Sequence, residues 1–138
     1  MQVYKTKAKR LSGSDFREVH RQALELYVPI KKRTKRRPYL RSAYFKKDKI
    51  FLGLFWHHLY EKPNFRDKIR RLKFFPCAIE LLQNSRFEPE SKQNPNRHEE
   101  ILHRFYGITA EHELFYVQIK EDKRSGQKFF ISVYPEGV

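Results

Sequence analysis

Residues 114–120, LFYVQIK, and 129–134, FFISVY, alternate side chains with a period of two. That period belongs to strands, in which successive side chains point to opposite faces of a sheet. Phe115, Val117 and Ile119 make one face of the first segment, so Tyr116, Gln118 and Lys120 make the other. In the second segment Phe129, Ile131 and Val133 are expected towards the core, with Phe130, Ser132 and Tyr134 opposite. Residues 121–128, with Arg124, Ser125 and Gly126, close the two as a hairpin. Core must pair with core, so cross-strand partner numbers should sum to an even value. A third strand is expected over Ile101–Ile108. Its pattern leaves open whether His103 or Arg104 shares the polar face.

Upstream the rhythm is helical. Phe16, Val19, Ala23, Leu26, Tyr27 and Ile30 predict an amphipathic helix from Asp15 to about Val28, with Ser14 as N-cap and Pro29 ending or kinking it. Asn64 caps a second helical pattern through Phe65, Ile69, Leu72, Phe75, Ile79 and Leu82. Pro76 lies inside it, so a kink or two abutting helices are expected. Val3–Lys5 reads as a short strand, and Tyr39–Phe45 with Ile50–Phe55 as a hairpin, although Phe51–Tyr60 fits a helix equally well. Residues 86–98 read as a long polar loop. The fold class is therefore α+β, with N-terminal helices packed on a C-terminal antiparallel β-meander. At 138 residues this is one domain, in which 1–60 form a basic helix with extended segments and 61–138 a helix plus sheet.

Composition excludes several classes. The chain is 39% hydrophobic and 15% aromatic, enough apolar surface for a packed core rather than a disordered tail. No run approaches the ~20 apolar residues of a membrane span, and no apolar leader opens the sequence. The one cysteine, Cys77, cannot form an internal disulfide, which fits a reducing cytoplasm.

Charge is the positive signal. The formal net charge is +14, and it is unevenly spread: residues 1–73 hold 22 basic and 6 acidic side chains, residues 74–138 hold 8 and 10. Between Glu25 and Asp48 there is no acid, while Lys31, Lys32, Arg33, Lys35, Arg36, Arg37, Arg41, Lys46 and Lys47 supply nine cations. Such asymmetry points to a polyanionic partner, RNA above all, with these nine side chains as candidate backbone contacts.

The polar face of the meander gathers Lys120, Ser132, Tyr134, Gln118, Tyr116 and one of His103 or Arg104. Cleaving RNA without a metal needs a base for the 2′-hydroxyl proton, an acid for the 5′-oxygen and cations for the charged phosphorane. These residue types can fill those roles, although an antiparallel sheet commonly shows a polar face to water. Other constellations are weaker. Trp56, His57 and His58 stand together, but adjacent histidines diverge and no carboxylate is spaced to complete a metal site. No glycine-rich phosphate loop exists, and no cofactor is called for.

A helix ending in Ala78–Leu82, a polar loop, Leu102–Phe105, the strand Phe115–Lys120 and a hairpin closing on Ile131–Pro135 together resemble the barnase/EndoU/RelE-like (BECR) fold, in the form found on phages and mobile elements. The resemblance covers about residues 65–136; residues 1–60 have no counterpart in it. It implies a small metal-independent ribonuclease, of a family in which many members act as toxins on transfer or messenger RNA. It further implies that His103 and Arg104 match the polar pair of the first core strand, Lys120 the basic residue of the next, and Ser132 and Tyr134 the hydroxyl and aromatic of the last. Two other classes of function fit the same residues. One is a non-catalytic RNA- or ribosome-binding protein with stacking aromatics. The other is a basic interaction protein that meets an acidic partner, such as an antitoxin or immunity protein.

Overall fold

The computed structural model describes residues 2–136. One sheet and four helices share a single hydrophobic core. The order along the chain is β1 (Tyr4–Lys5), α1 (Phe16–Thr34), β2 (Tyr39–Arg41), β3 (Lys49–Phe51), α2 (Gly53–Glu61), α3 (Phe65–Lys73), α4 (Phe75–Asn84), β4 (Glu90–Gln93), β5 (Glu100–Ile108), β6 (Leu114–Asp122) and β7 (Lys128–Pro135). The α+β class is therefore observed. The sheet, however, is larger than a C-terminal meander: its strands run β1-β5-β6-β7-β3-β2, with β4 also on the β5 edge. β3 joins β7 in parallel and β1 joins β5 in parallel, so the sheet is mixed, and its N-terminal strands interleave with the helices.

Local chemistry accounts for the helix boundaries. Asp15, not Ser14, caps α1, its carboxylate accepting from the Glu18 amide at 2.9 Å. The helix buries Val19, Ala23, Tyr27 and Ile30 and passes through Pro29 to Thr34, beyond the expected end. Its last turn carries Lys31, Lys32 and Arg33, where cations complement the negative end of the helix dipole. The Pro76 pattern resolves as two helices, α3 and α4, abutting at Phe74, with the proline in the first turn of the second. Within 86–98, expected as loop, Glu90–Gln93 form β4, an exposed edge strand whose polar composition hid it.

The core lies on one face of the sheet. Phe55 stacks on Phe130 with ring centres 4.5 Å apart and on Phe75 at 5.5 Å, which ties α2 to both β7 and α4. Gly107 on β5 packs against Phe115 and against Leu81 of α4. A Cβ there would stand 2.5 Å from Phe115 Cζ and 2.9 Å from Leu81 Cδ1. Gly107→Ala is expected to destabilise the protein by about 1–3 kcal/mol through overpacking, read as a lower urea midpoint with an unchanged slope. Residues 4–8 are held on α4 by the Glu80 carboxylate, which accepts from the Tyr4 hydroxyl at 3.0 Å and from the Lys7 and Ala8 amides. Burial, with that bond and charge, pushes the Tyr4 phenol up to about 12.

Candidate active site

The face opposite the core is open, and register decides what stands on it. Arg104 pairs with Gln118, and Gln118 with Ser132; Tyr106 pairs with Tyr116, and Tyr116 with Tyr134. Arg104 therefore joins the polar face. His103 pairs with Ile119 and lies on the core side, 8% exposed. There its Nδ1 meets the Ser91 hydroxyl at 2.6 Å and its Nε2 meets Glu121 Oε1 at 2.8 Å, beneath the Phe45 ring. Of the two residues that the sequence left open, Arg104 and not His103 shares the sheet's polar face, so His103 is corrected to the core side. His103→Ala strips two hydrogen bonds, one to exposed Ser91 and one to half-buried Glu121, and is expected to cost about 2 kcal/mol of stability. A thermal melt checks the loss.

One irregularity reshapes the last strand. Between Gln118 and Ile119 the ladder slips: Gln118 faces Ser132 but Ile119 faces Phe130, leaving Ile131 unpaired. This β-bulge puts Phe130 in the core and moves Phe129 to the open face, the reverse of strict alternation. The even-sum rule holds above the bulge and fails below it.

The bulge opens onto a cleft. β3 pairs with β7 only at Lys128 and Phe129, so the rest of β7 lacks a strand neighbour on that side, and α2 with the α2–α3 turn packs there instead. Between them lies a cleft of about 430 Å³ lined by His58, Glu61, Lys62, Arg71, Gln118, Ile131, Ser132 and Tyr134, with Phe55 and Leu59 at its base. Sequence fixes its rim. α2 stops at Glu61 because Lys62 precedes Pro63 and is held extended, with ψ at 126°. Asn64 then caps α3, accepting from the Arg66 and Asp67 amides. Asp67, one turn on, receives Arg71 Nε at 3.0 Å. So braced, the Arg71 guanidinium lies 3.7 Å from the centre of the Tyr134 ring.

Tyr134 is the group most altered by this environment. Burial alone would raise its phenol, but the Ser132 hydroxyl, the Arg71 guanidinium and the Lys62 charge outweigh burial and hold it below its ordinary value. Ser132 is itself buried, its hydroxyl 3.4 Å from Gln118 Oε1. His58 enters the cleft from α2, whereas His57, about 100° round the helix, points out to pair with Glu61 at 2.8 Å.

The expected site residues thus divide. Ser132 and Tyr134 share the cleft. Arg104 stands next to it, stacked 4.3 Å over the Tyr116 ring and lining a smaller recess that also touches Gln118. Lys120 is further along the same face, 3.5 Å from Glu100 and 5.3 Å from the Phe129 ring, and does not line the cleft. The cations beside Tyr134 are Arg71 and Lys62 instead. The sequence signal for Arg71 was the i,i+4 pair Asp67–Arg71 on one helical face, whereas Lys62, extended just beyond α2, had none.

Of the nine candidate RNA contacts, Arg37 and Arg41 reach the open face, Arg37 lying 3.9 Å over the Phe51 ring. Arg33 lines a recess with Tyr39 and Arg41. Lys31 and Lys32 stay on the end of α1, and Lys35 and Arg36 sit exposed in the turn beyond it. Lys46 and Lys47 form the tip of the β2–β3 turn with φ of 54° and 73°. Among the described residues no cluster of three or more His, Cys, Asp or Glu side chains could hold a metal ion, and no helix is long and apolar enough to cross a membrane. Compared with known proteins, the chain matches no family model, no curated protein and no solved structure.

Proposed function

We propose that this chain is a small basic RNA-binding protein that cleaves RNA without a metal ion, of the toxin-like type, in the cleft between β7 and the α2–α3 turn. The observation that carries the reading is Arg71 braced by Asp67 at 3.0 Å and laid over Tyr134 at 3.7 Å, in a cleft that His58, Lys62 and Ser132 also line. His58 takes the 2′-hydroxyl proton of the RNA. The freed oxygen attacks the adjacent phosphorus, forming a 2′-O–P bond. The P–O5′ bond breaks as Tyr134 delivers its proton to the leaving oxygen, and Arg71 and Lys62 offset the charge of the phosphorane between them. The lowered phenol is suited to that last transfer, because a stronger acid gives up its proton more readily.

Kinship with the BECR fold belongs to the same proposal. It is supported by α4 followed by a polar segment and three long antiparallel strands, with Ser132 and Tyr134 on their open face. An acidic antitoxin or immunity protein is the protein partner that a chain of net charge +14 would take. The test is incubation of the purified protein with single-stranded RNA in EDTA. Cleavage is expected, and Arg71→Ala should slow it by about 10²-fold or more. RNA bound but left intact by the wild type would favour a non-catalytic binding protein.

A further inference from the structure

The open face carries two cross-strand aromatic ladders. One runs Tyr106–Tyr116–Tyr134 across β5, β6 and β7 and ends in the cleft, with neighbouring ring centres 6.2 and 5.1 Å apart. The other runs Tyr39–Phe51–Phe129 across β2, β3 and β7, at 6.2 and 5.8 Å. Both are studded with cations. Arg37 lies 3.9 Å over Phe51 and 5.8 Å from Phe129, Lys49 lies 4.6 Å from Tyr39, and Lys120 lies 5.3 Å from Phe129. The second ladder borders a recess of about 330 Å³ between Arg37, Leu54, Lys120 and Phe129, within the size range of small-ligand sites. No carboxylate lines it.

From these ladders we infer that the open face is a track for single-stranded RNA, with a base-stacking station at Phe51–Phe129–Arg37 separate from the cleft. This rests on the proposed function and adds the substrate class to it. Unpaired bases expose faces that stack on aromatic rings and on guanidinium planes, whereas a duplex hides those faces inside its own stack. The guanidinium of Arg37, 3.9 Å over the Phe51 ring, offers its outer side to a base, and Lys49 and Lys120 stand where the flanking phosphates would run. Both ladders meet β7, at Phe129 and Tyr134. The five steps along β7 from Phe129 to Tyr134 span at most about 16 Å, the reach of a short run of nucleotides. The phosphate cut in the cleft and the base held at the station would therefore belong to the same strand.

The test is equilibrium binding of a 2′-O-methyl RNA decamer, which 2′-hydroxyl attack cannot cleave. It is measured as a single strand and annealed to its complement, with wild type, Arg37→Ala and Phe51→Leu. The single strand is expected to bind the wild type at least about tenfold tighter than the duplex. Each substitution should weaken single-strand binding by about tenfold, the scale of one lost stacking contact, and should barely change duplex binding. Arg37 is exposed, so its variant reads the station even where Phe51→Leu disturbs β3. Equal affinity for duplex and single strand overturns the inference, as does wild-type affinity for the decamer in Arg37→Ala. Cleavage of an unmodified dinucleotide by the wild type reads the cleft separately. If that fails while both substitutions weaken the decamer, the track stands and the ribonuclease reading falls.

Discussion

Tyr134→Phe and His58→Ala are each expected to slow RNA cleavage by about 10²-fold or more, the usual scale for a lost acid or base. Affinity should fall far less than rate, because the cations that hold the backbone remain in both variants. The two should part in their pH profiles. In the wild type, a proton-donating Tyr134 makes the rate fall as pH rises through its pKa. The Ser132 hydroxyl, the Arg71 guanidinium and the Lys62 charge place that limb below the ordinary phenol value. His58→Ala keeps the limb at a lower rate, and Tyr134→Phe abolishes it. Arg71→Ala removes two of the influences that lower the phenol and leaves burial in force, so its residual limb should move upward. Initial rates from pH 5 to 11 read all of this. A Tyr134→Phe enzyme with wild-type rate and limb would take Tyr134 out of the chemistry.

Replacing Arg36, Arg37 and Arg41 by alanine together is expected to weaken binding to unrelated RNAs alike. Each phosphate contact on a single strand contributes about −0.7 to the slope of log affinity against log salt, so the loss of Arg36 and Arg41 flattens it by about 1.4, while the loss of Arg37 removes a base contact. Arg37 and Arg41 stand on the open face beside Phe51 and Tyr39, and Arg36 is exposed in the turn that leads to them. The three thus sample one contiguous stretch of the surface. Titrations between 50 and 300 mM salt measure the slope. An unchanged slope in the triple variant would remove this segment from the RNA-binding surface and leave its charge to solubility.

The elements with strong periodicity were legible in the sequence. β5, β6 and β7 lie within two residues of their expected limits because each buries alternate side chains against a common core. The α3–α4 junction was legible for a different reason, since Pro76 has few places to sit in a helix. What escaped was set by partners distant in sequence. β4 has no buried residue to betray it, and its strand state comes only from pairing with β5. The bulge at Ile131 follows from how β7 meets β6, not from the pattern FFISVY, so Phe129 and Phe130 exchanged faces. Likewise, the choice between His103 and Arg104 depended on pairing with Gln118 and Ile119, which alternation within one strand cannot supply.

The candidate site was half legible. Ser132 and Tyr134 could be placed together from strand period alone. His58, Lys62 and Arg71 could not, because α2 and α3 come to the sheet only where β7 loses its strand neighbour. The residues that the sequence grouped with Tyr134 are real neighbours on one face, but the face is wide. Lys120 stands at its other end by Phe129, and the cleft draws its positive charge from Arg71 of α3 and Lys62 of the α2–α3 turn instead.

Attack by the neighbouring 2′-hydroxyl is the core of the account, and a chimaeric oligonucleotide tests it most directly. The strand is DNA throughout except for one ribonucleotide, incubated with the wild-type protein in EDTA, and its products are resolved by mass. A single cut on the 3′ side of the ribonucleotide, leaving a 2′,3′-cyclic phosphate, is the result predicted. Cuts at deoxynucleotides, or a bound chimaera and an all-RNA control both left intact, would contradict it.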